Sequence, residues 1–320
     1  MNAPPLLVSF LSVEQYLRAL PESLVAAHGE TIRQLSSQGL PPVVSSRCLA
    51  ILFGYSSKFS GALIRRPEQY YRTFSIPKGK KKRLIHSPRV ALKIIQKWFG
   101  AHLADRISVH EAAFGFVKRR SAVQGAAVHC SARWIFSVDI ENFFPSTPRN
   151  AVSEALTRIG YPPHGAAVVA KLCCYDGALA QGSPASPVLS NLLFKDVDDA
   201  LADLAAEHSI RYSRYADDIV FSGTRPFPDG VRERTKAIVE SGGWRLSGDK
   251  EFFAEKPNRL KVFGLLVDGE VPRLTKGYRN RIRAYRHLID NHRVAPDDMP
   301  RLLGHLAYAR SVDNQGEETG

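Results

Sequence analysis

Asp217 and Asp218 are adjacent carboxylates inside RYSRYADDIVFSG, residues 211–223. Tyr212 and Tyr215 before the pair, and Ile219, Val220 and Phe221 after it, favour extended backbone. The segment therefore reads as strand, tight turn, strand, with both acids at a hairpin tip. Two acids side by side repel unless a cation lies between them, and such a pair on a short turn suits a Mg²⁺ site that also holds substrate phosphates. An acidic turn in solvent would read the same, so the company of the pair decides. Asp139 ends the run WIFSVD, where Trp134, Phe136 and Val138 argue for a buried strand, before the chain turns at Pro145 and Pro148. It lies 217 − 139 = 78 residues before Asp217, so the acids meet only if the fold puts each on a strand of one sheet. Three carboxylates converging there could hold two Mg²⁺ ions about 3.5–4 Å apart, one activating a hydroxyl and one neutralising leaving phosphates. That is the chemistry of nucleotidyl transfer, with Asp139 and Asp217 as the bridging ligands.

The elements around the acids must then position a nucleotide and a strand. YYRTFSIPKGKKKRLIHSPR, residues 70–89, reads as a hairpin, Arg72–Pro77 and Arg83–His86, whose tip carries Lys78, Lys80, Lys81 and Lys82. Closely spaced cations suit a triphosphate or a nucleic-acid backbone, and a charge run also suits plain solvent. Arg83 is the member expected to touch substrate, because it begins the strand. Phe144, five residues past Asp139, would lie near the sugar of an incoming nucleotide, where its ring excludes a 2′-OH; a core aromatic is the alternative. Gln181, Gly182, Ser183, Pro184 and Pro187 make a loop of close backbone approach ahead of a helix from Val188 toward Glu207. Gln181 could donate to a nucleotide or the template, or cap a helix. Lys118, Arg119 and Arg120 beside aromatic residues suit a nucleic-acid grip, and His129, with no partner visible, suits helix packing. Lys276, Arg279, Arg281, Arg283 and Arg286 fall on one helix suited to tracking a duplex backbone.

Composition agrees with that partner class. The 320 residues are 44% hydrophobic, enough for one large core or two modest ones, and 44 Lys and Arg against 31 Asp and Glu leave a formal charge of +13. Such a balance favours nucleic acid before membrane. The four cysteines, Cys48, Cys130, Cys173 and Cys174, show no zinc spacing and imply a reducing compartment. The start lacks a basic leader, and no apolar run reaches the ~18 residues of a membrane span.

VDIENFFPS, QGSPASPVLSNLLF and YADDIVFSG, in this order and at these distances, resemble the successive motifs of reverse transcriptases. IPKGKKKRLIHSP resembles the fingers of the same enzymes, SGDKEFF the motif after the catalytic hairpin, and VFGLLVDG the primer-gripping turn. The likeness runs from about Tyr70 to Arg310, and the length together with KLCCYDGALAQGSPASP is most similar to bacterial retron enzymes. Two departures stand out. Gly125, Ala126 and His129 keep the Ala and His of a usual Asn-Ala-x-x-His string, and Val262, Phe263 and Gly264 replace the usual Val-Thr-Gly.

The resemblance implies an α+β right-hand polymerase: an N-terminal helical support over 1–70, fingers and palm over 71–270 with the catalytic acids on an antiparallel sheet, and a helical thumb over 271–320. It implies RNA-directed DNA synthesis with two Mg²⁺ and dNTP substrates. Lys250 falls where the family has its candidate general acid. It implies a structured non-coding RNA as template and primer, an RNA–DNA product branched from a 2′-OH, an effector protein as a further partner, a cytoplasmic setting without membrane contact, and a part in phage defence. Group II intron-like and diversity-generating enzymes share the core motifs. A scaffold that binds RNA or DNA for an effector, its catalysis dispensable, is the alternative from another class.

Overall fold

The computed structural model describes residues 4–79 and 81–314, with Lys78 and Lys81 described by backbone alone. Lys80, the side chains of Lys78 and Lys81 in the basic tip, and residues 1–3 and 315–320 thus lie outside the described residues. The chain divides into two compact units, each assembled from two separated stretches. The first is Met1–Val109 with Asn142–Asp196, and the second is His110–Glu141 with Val197–Gly320.

The first unit opens with helices Val13–Arg18, Glu22–Ser37, Ser46–Phe53 and Ser57–Arg65. Serine hydroxyls start three of them, Ser12 accepting from the Gln15 amide, Ser45 from Cys48 and Ser56 from Phe59, so their first-turn donors are satisfied locally. Strands β1 (Tyr71–Lys78) and β2 (Lys81–Pro88) pair antiparallel from Tyr71 opposite Pro88 to Lys78 opposite Lys81. The hairpin is thus longer than the propensities alone suggested, because the ladder carries the basic residues into extended backbone. Helix Val90–Leu103 buries Leu92, Ile95, Phe99 and Leu103 along one helical stripe. Helices Arg149–Arg158 and Pro163–Cys173 complete this unit with the short ribbon Cys174–Tyr175 and Ala178–Leu179. The long helix Ser186–Glu207 starts two residues before Val188, since Pro187 costs nothing in a first turn.

The second unit is built on a four-stranded antiparallel sheet of β3 (Trp134–Asp139), β4 (Arg211–Tyr215), β5 (Asp218–Gly223) and β6 (Phe252–Glu255) in the order β4-β5-β3-β6. Both faces are covered, so β3 is buried nearly throughout. On one face Trp134 stacks on Phe253, and Phe221 stacks on both Phe136 and Tyr212. The guanidinium of Arg232, on helix Val231–Ser241, lies over Phe136 and Phe253. On the other face Ile135, Val220 and Ala254 join a core with Leu260, Val262, Leu265, Ile282, Ala309 and Val312. That core docks the last two helices, Lys276–Asp290 and Met299–Asp313. Lys276, Arg279, Arg281, Arg283 and Arg286 are exposed on the first of these, whose buried residue is Ile282. Helices and antiparallel strands in separate layers make the class α+β. Among the described residues no helix is long and apolar enough to cross a membrane.

Candidate active site

The register of β3 against β5 places Asp139 directly opposite Asp218. Period-two alternation puts both carboxylates on the face that carries Ile135 and Val220. Asp218 therefore belongs to a strand rather than to the hairpin tip, and the two-residue turn consists of Ala216 and Asp217. Ala216 takes φ 57° at the first turn position, the sign a II′ hairpin turn requires there. The Ile140 amide donates to the Asp217 carbonyl at 2.9 Å, so the strand bearing Asp139 also holds the turn bearing Asp217.

Lys250 arrives by a separate device. The Ser247 amide donates to the Asp139 carbonyl at 2.8 Å, and the Lys250 amide donates to the Ser247 carbonyl at 3.0 Å. The resulting single turn, Gly248–Lys250, lets the Lys250 ammonium donate to Asp139 Oδ1. Asp139 is buried, whereas Asp218 keeps an exposed edge. Desolvation, then the charges of Asp217 and Asp139 and a hydrogen bond with Asp139, push the Asp218 carboxyl up to about 6, against a smaller pull from Lys250.

Arg83, Phe144, Gln181 and Gly182 lie in the first unit. The His86 amide donates to the Gln181 carbonyl at 2.8 Å, so the loop clamps onto β2. With its amide turned to satisfy both ends, Gln181 donates to the Leu84 carbonyl at 3.0 Å and accepts from Arg83 Nε at 3.3 Å. Gly182, at φ 126°, passes so close that a Cβ there would sit 2.9 Å from the His86 carbonyl oxygen. Phe144 is half-buried, its ring 5.5 Å from that of Phe143.

Against known proteins, residues 76–264 match the family described as reverse transcriptase (RNA-dependent DNA polymerase). The retron Ec86 reverse transcriptase of Escherichia coli is 28% identical over 286 residues, covering 88% of this chain and 89% of that protein. The retron Mx65 reverse transcriptase of Myxococcus xanthus is 30% identical over 312 residues, covering 89% of this chain and 72% of that one. The chain belongs to the retron-type reverse transcriptases. Among solved structures, a Candida albicans telomerase bound to a telomeric RNA fragment aligns at a TM-score of 0.47 with 10% identity, over 68% of this chain and 50% of that one. This reverse transcriptase is an RNA-directed DNA polymerase with the mixed helix-and-sheet fold of right-hand polymerases, and its family uses a divalent cation and dNTPs.

The acids of this reverse transcriptase fit such a cation. Their donors are all carboxylate oxygen, the ligand type hard divalent ions take, and Asp139 directly opposite Asp218, whose carboxyl is pushed up to about 6, is a like-charge pair that needs a proton or a cation. Among the described residues no three His, Cys, Asp or Glu side chains already converge as a cage. The Lys250 ammonium instead supplies positive charge at Asp139.

Several supporting residues escaped the sequence. His129 packs against strands rather than helices: its Nδ1 lies 2.7 Å from Ser222 Oγ on β5 and its Nε2 2.6 Å from Ser213 Oγ on β4. Arg120, expected to grip nucleic acid, donates to the carbonyls of His110 and Ala113 at 2.7 and 2.8 Å and braces its own loop. Gly115 presses on the turn of Ala216 and Asp217, where a Cβ would collide with the Ala216 nitrogen. The two departures from the retron pattern touch one another, since a Cβ at Gly125 would lie 2.9 Å from the Phe263 ring. The larger ring at 263 fills space that a side chain at 125 would need.

Proposed function

We propose that the chain copies a structured non-coding RNA, which is both template and primer, into DNA by two-metal-ion nucleotidyl transfer, with Asp139, Asp217 and Asp218 holding two Mg²⁺. The observation that carries this reading is the backbone ladder setting Asp139 opposite Asp218, with the turn of Asp217 bonded to the same strand. Bound there, the cations would favour the ionised primer hydroxyl and offset charge on the triphosphate. The primer hydroxyl gives its proton to solvent, its oxygen forms a bond to the α-phosphorus as the bond to the pyrophosphate oxygen breaks, and Lys250 donates the proton that the leaving pyrophosphate takes. Arg83 binds the triphosphate with its guanidinium steadied by Gln181, Lys78 adds charge at the same ligand, Gly182 lets the loop close on β2 so that Gln181 reaches Arg83, and Phe144 excludes a 2′-OH.

In this reading residues 1–70 are the support, 71–270 fingers and palm, and 271–320 the thumb, whose exposed Arg279, Arg283 and Arg286 meet phosphates of the RNA–DNA product. Membership among retron-type enzymes supports a branched RNA–DNA product, a cytoplasmic role in phage defence, and an effector protein as partner. Primer extension tests the core of the proposal. Asp217→Asn removes one ligand charge at constant volume and should lower the rate by several orders of magnitude while RNA binding persists. A variant extending primer at near the parent rate refutes the assignment.

A further inference from the structure

Arg214 is one of the largest side chains fully buried in the protein, three residues before Asp217. On β4 it faces away from the acids, because its partner across the ladder is Ile219 and not Asp218. Its Nε donates to Asp198 Oδ1 at 2.7 Å and its Nη2 to Asp198 Oδ2 at 2.6 Å, a two-pronged pair with no solvent exposure on either side chain. Tyr212 Oη donates to the same Asp198 Oδ1 at 2.6 Å. Nη1 has another target, the Ala216 carbonyl, at 2.9 Å. Main-chain bonds tie the residue down as well: its amide donates to the Ala112 carbonyl and its carbonyl accepts from the Phe114 amide, each at 2.8 Å.

The bond to Ala216 matters because of the peptide it orients. Ala216 and Asp217 are the whole turn, and Ala216 at φ 57° sits in a backbone region that a residue with a Cβ occupies only under strain. The peptide between Ala216 and Asp217 is fixed through its oxygen by Arg214, and the peptide after Asp217 is fixed through its oxygen by the Ile140 amide. With both flanking peptides fixed, the backbone angles of Asp217 are fixed, and so is the direction in which its carboxylate leaves the turn.

We propose that Arg214 is a positioning residue that aims Asp217 at the cation site, with Asp198 holding the guanidinium at the height where one prong reaches the turn. This rests on the reading of Asp217 as a cation ligand. A buried Asp198 compensated only by solvent would be costly, which explains why the carboxylate also takes the Tyr212 hydroxyl.

The test uses the full chain without nucleic acid or dNTP and follows Mn²⁺ binding by electron paramagnetic resonance, beside primer extension. Arg214→Lys keeps a cation for Asp198 but loses the planar fork and with it the bond to Ala216. Asp198→Leu with Arg214→Met removes both charges at similar volume and guards against a single variant that fails to fold. Each folded variant should bind Mn²⁺ at least fivefold more weakly and lose at least tenfold in kcat, with RNA affinity within threefold of the parent. Amide hydrogen exchange in the peptide covering residues 214–218 should quicken about tenfold while that covering 134–138 stays protected. Tyr212→Phe, which leaves the fork intact, should bind Mn²⁺ within twofold of the parent. Asp217→Asn serves as the reference. If it fails to weaken Mn²⁺ binding, the ligand reading fails. If it weakens binding while folded Arg214 variants bind as the parent does, or if those variants lose only thermal stability, the positioning role is wrong.

Discussion

His129 should make the stability of this reverse transcriptase fall as pH drops below neutrality. The imidazole is wholly buried, and burial followed by the nearby charge of Arg211 moves its pKa from the ordinary 6.5 down to about 3. As a neutral ring it donates from one nitrogen and accepts at the other, matching Ser222 and Ser213, whereas an imidazolium could only donate. Between pH 6.5 and 3 the unfolded chain therefore carries a proton that the folded chain does not, so stability rises with pH across that window and its loss begins as pH falls through 6.5. Each full unit below 6.5 costs about 1.4 kcal/mol, or about 2 kcal/mol by pH 5 relative to pH 7.5. Urea unfolding of the parent and of His129→Asn at pH 7.5, 6.5, 5.5 and 5.0 isolates the contribution, since other groups titrate in both. The variant should be less stable at pH 7.5 by about 1–3 kcal/mol, through imperfectly paired serine hydroxyls, and the gap should close toward pH 5. Parallel pH profiles for the two proteins would refute the buried neutral imidazole.

Gly125→Asn alone should destabilise the protein by about 1–3 kcal/mol through the clash with Phe263, and adding Phe263→Thr should restore most of that loss, as thermal unfolding of the four-member cycle would show. Additive losses would mean that the two positions are independent. Gln181→Leu and Arg83→Ala should each raise the dNTP KM several-fold with little change in RNA affinity, because the two side chains meet each other and act on a ligand absent from the binary complex. Steady-state titration beside filter binding decides it, and a loss of RNA affinity instead would assign the pair to template binding. Phe144→Val should narrow the preference for dNTP over NTP, since discrimination by exclusion relaxes when the ring shrinks. An unchanged ratio in competing incorporation assays would place Phe144 in the core.

Local chemistry made much of this legible. The N-terminal stretch is helical as the sequence implied, with serine hydroxyls starting three of its helices, and Leu92, Ile95, Phe99 and Leu103 form a helical stripe that faces the core. The strand character of Trp134–Asp139 and of the segments around Asp217 was equally plain, because β-branched and aromatic residues cluster there. The order of the motifs carried the family.

What short stretches could not contain was register and long-range pairing. Whether Asp218 belonged to the turn or to a strand depended on a ladder with β3, formed by a segment far away in the chain, and a slip of one residue would have turned the acid to the opposite face. The partner of Lys250 was set by a carbonyl of Asp139 catching the Ser247 amide, a contact between backbones that leaves no mark on side-chain identity. Arg120 reads as a nucleic-acid cation yet ties up carbonyls of its own loop, and Arg214, which no local pattern marks, is sealed against Asp198, a residue on a helix that precedes it. By itself the sequence determined which segments form helices and strands, and which residues have the chemistry for nucleotidyl transfer, since both depend on neighbours a few positions apart. Only the tertiary structure decided which acid faces which, which arginines are tied up inside the fold, and why Gly125 and Phe263 depart together, because those outcomes depend on contacts whose cost or gain exists only once distant segments have packed.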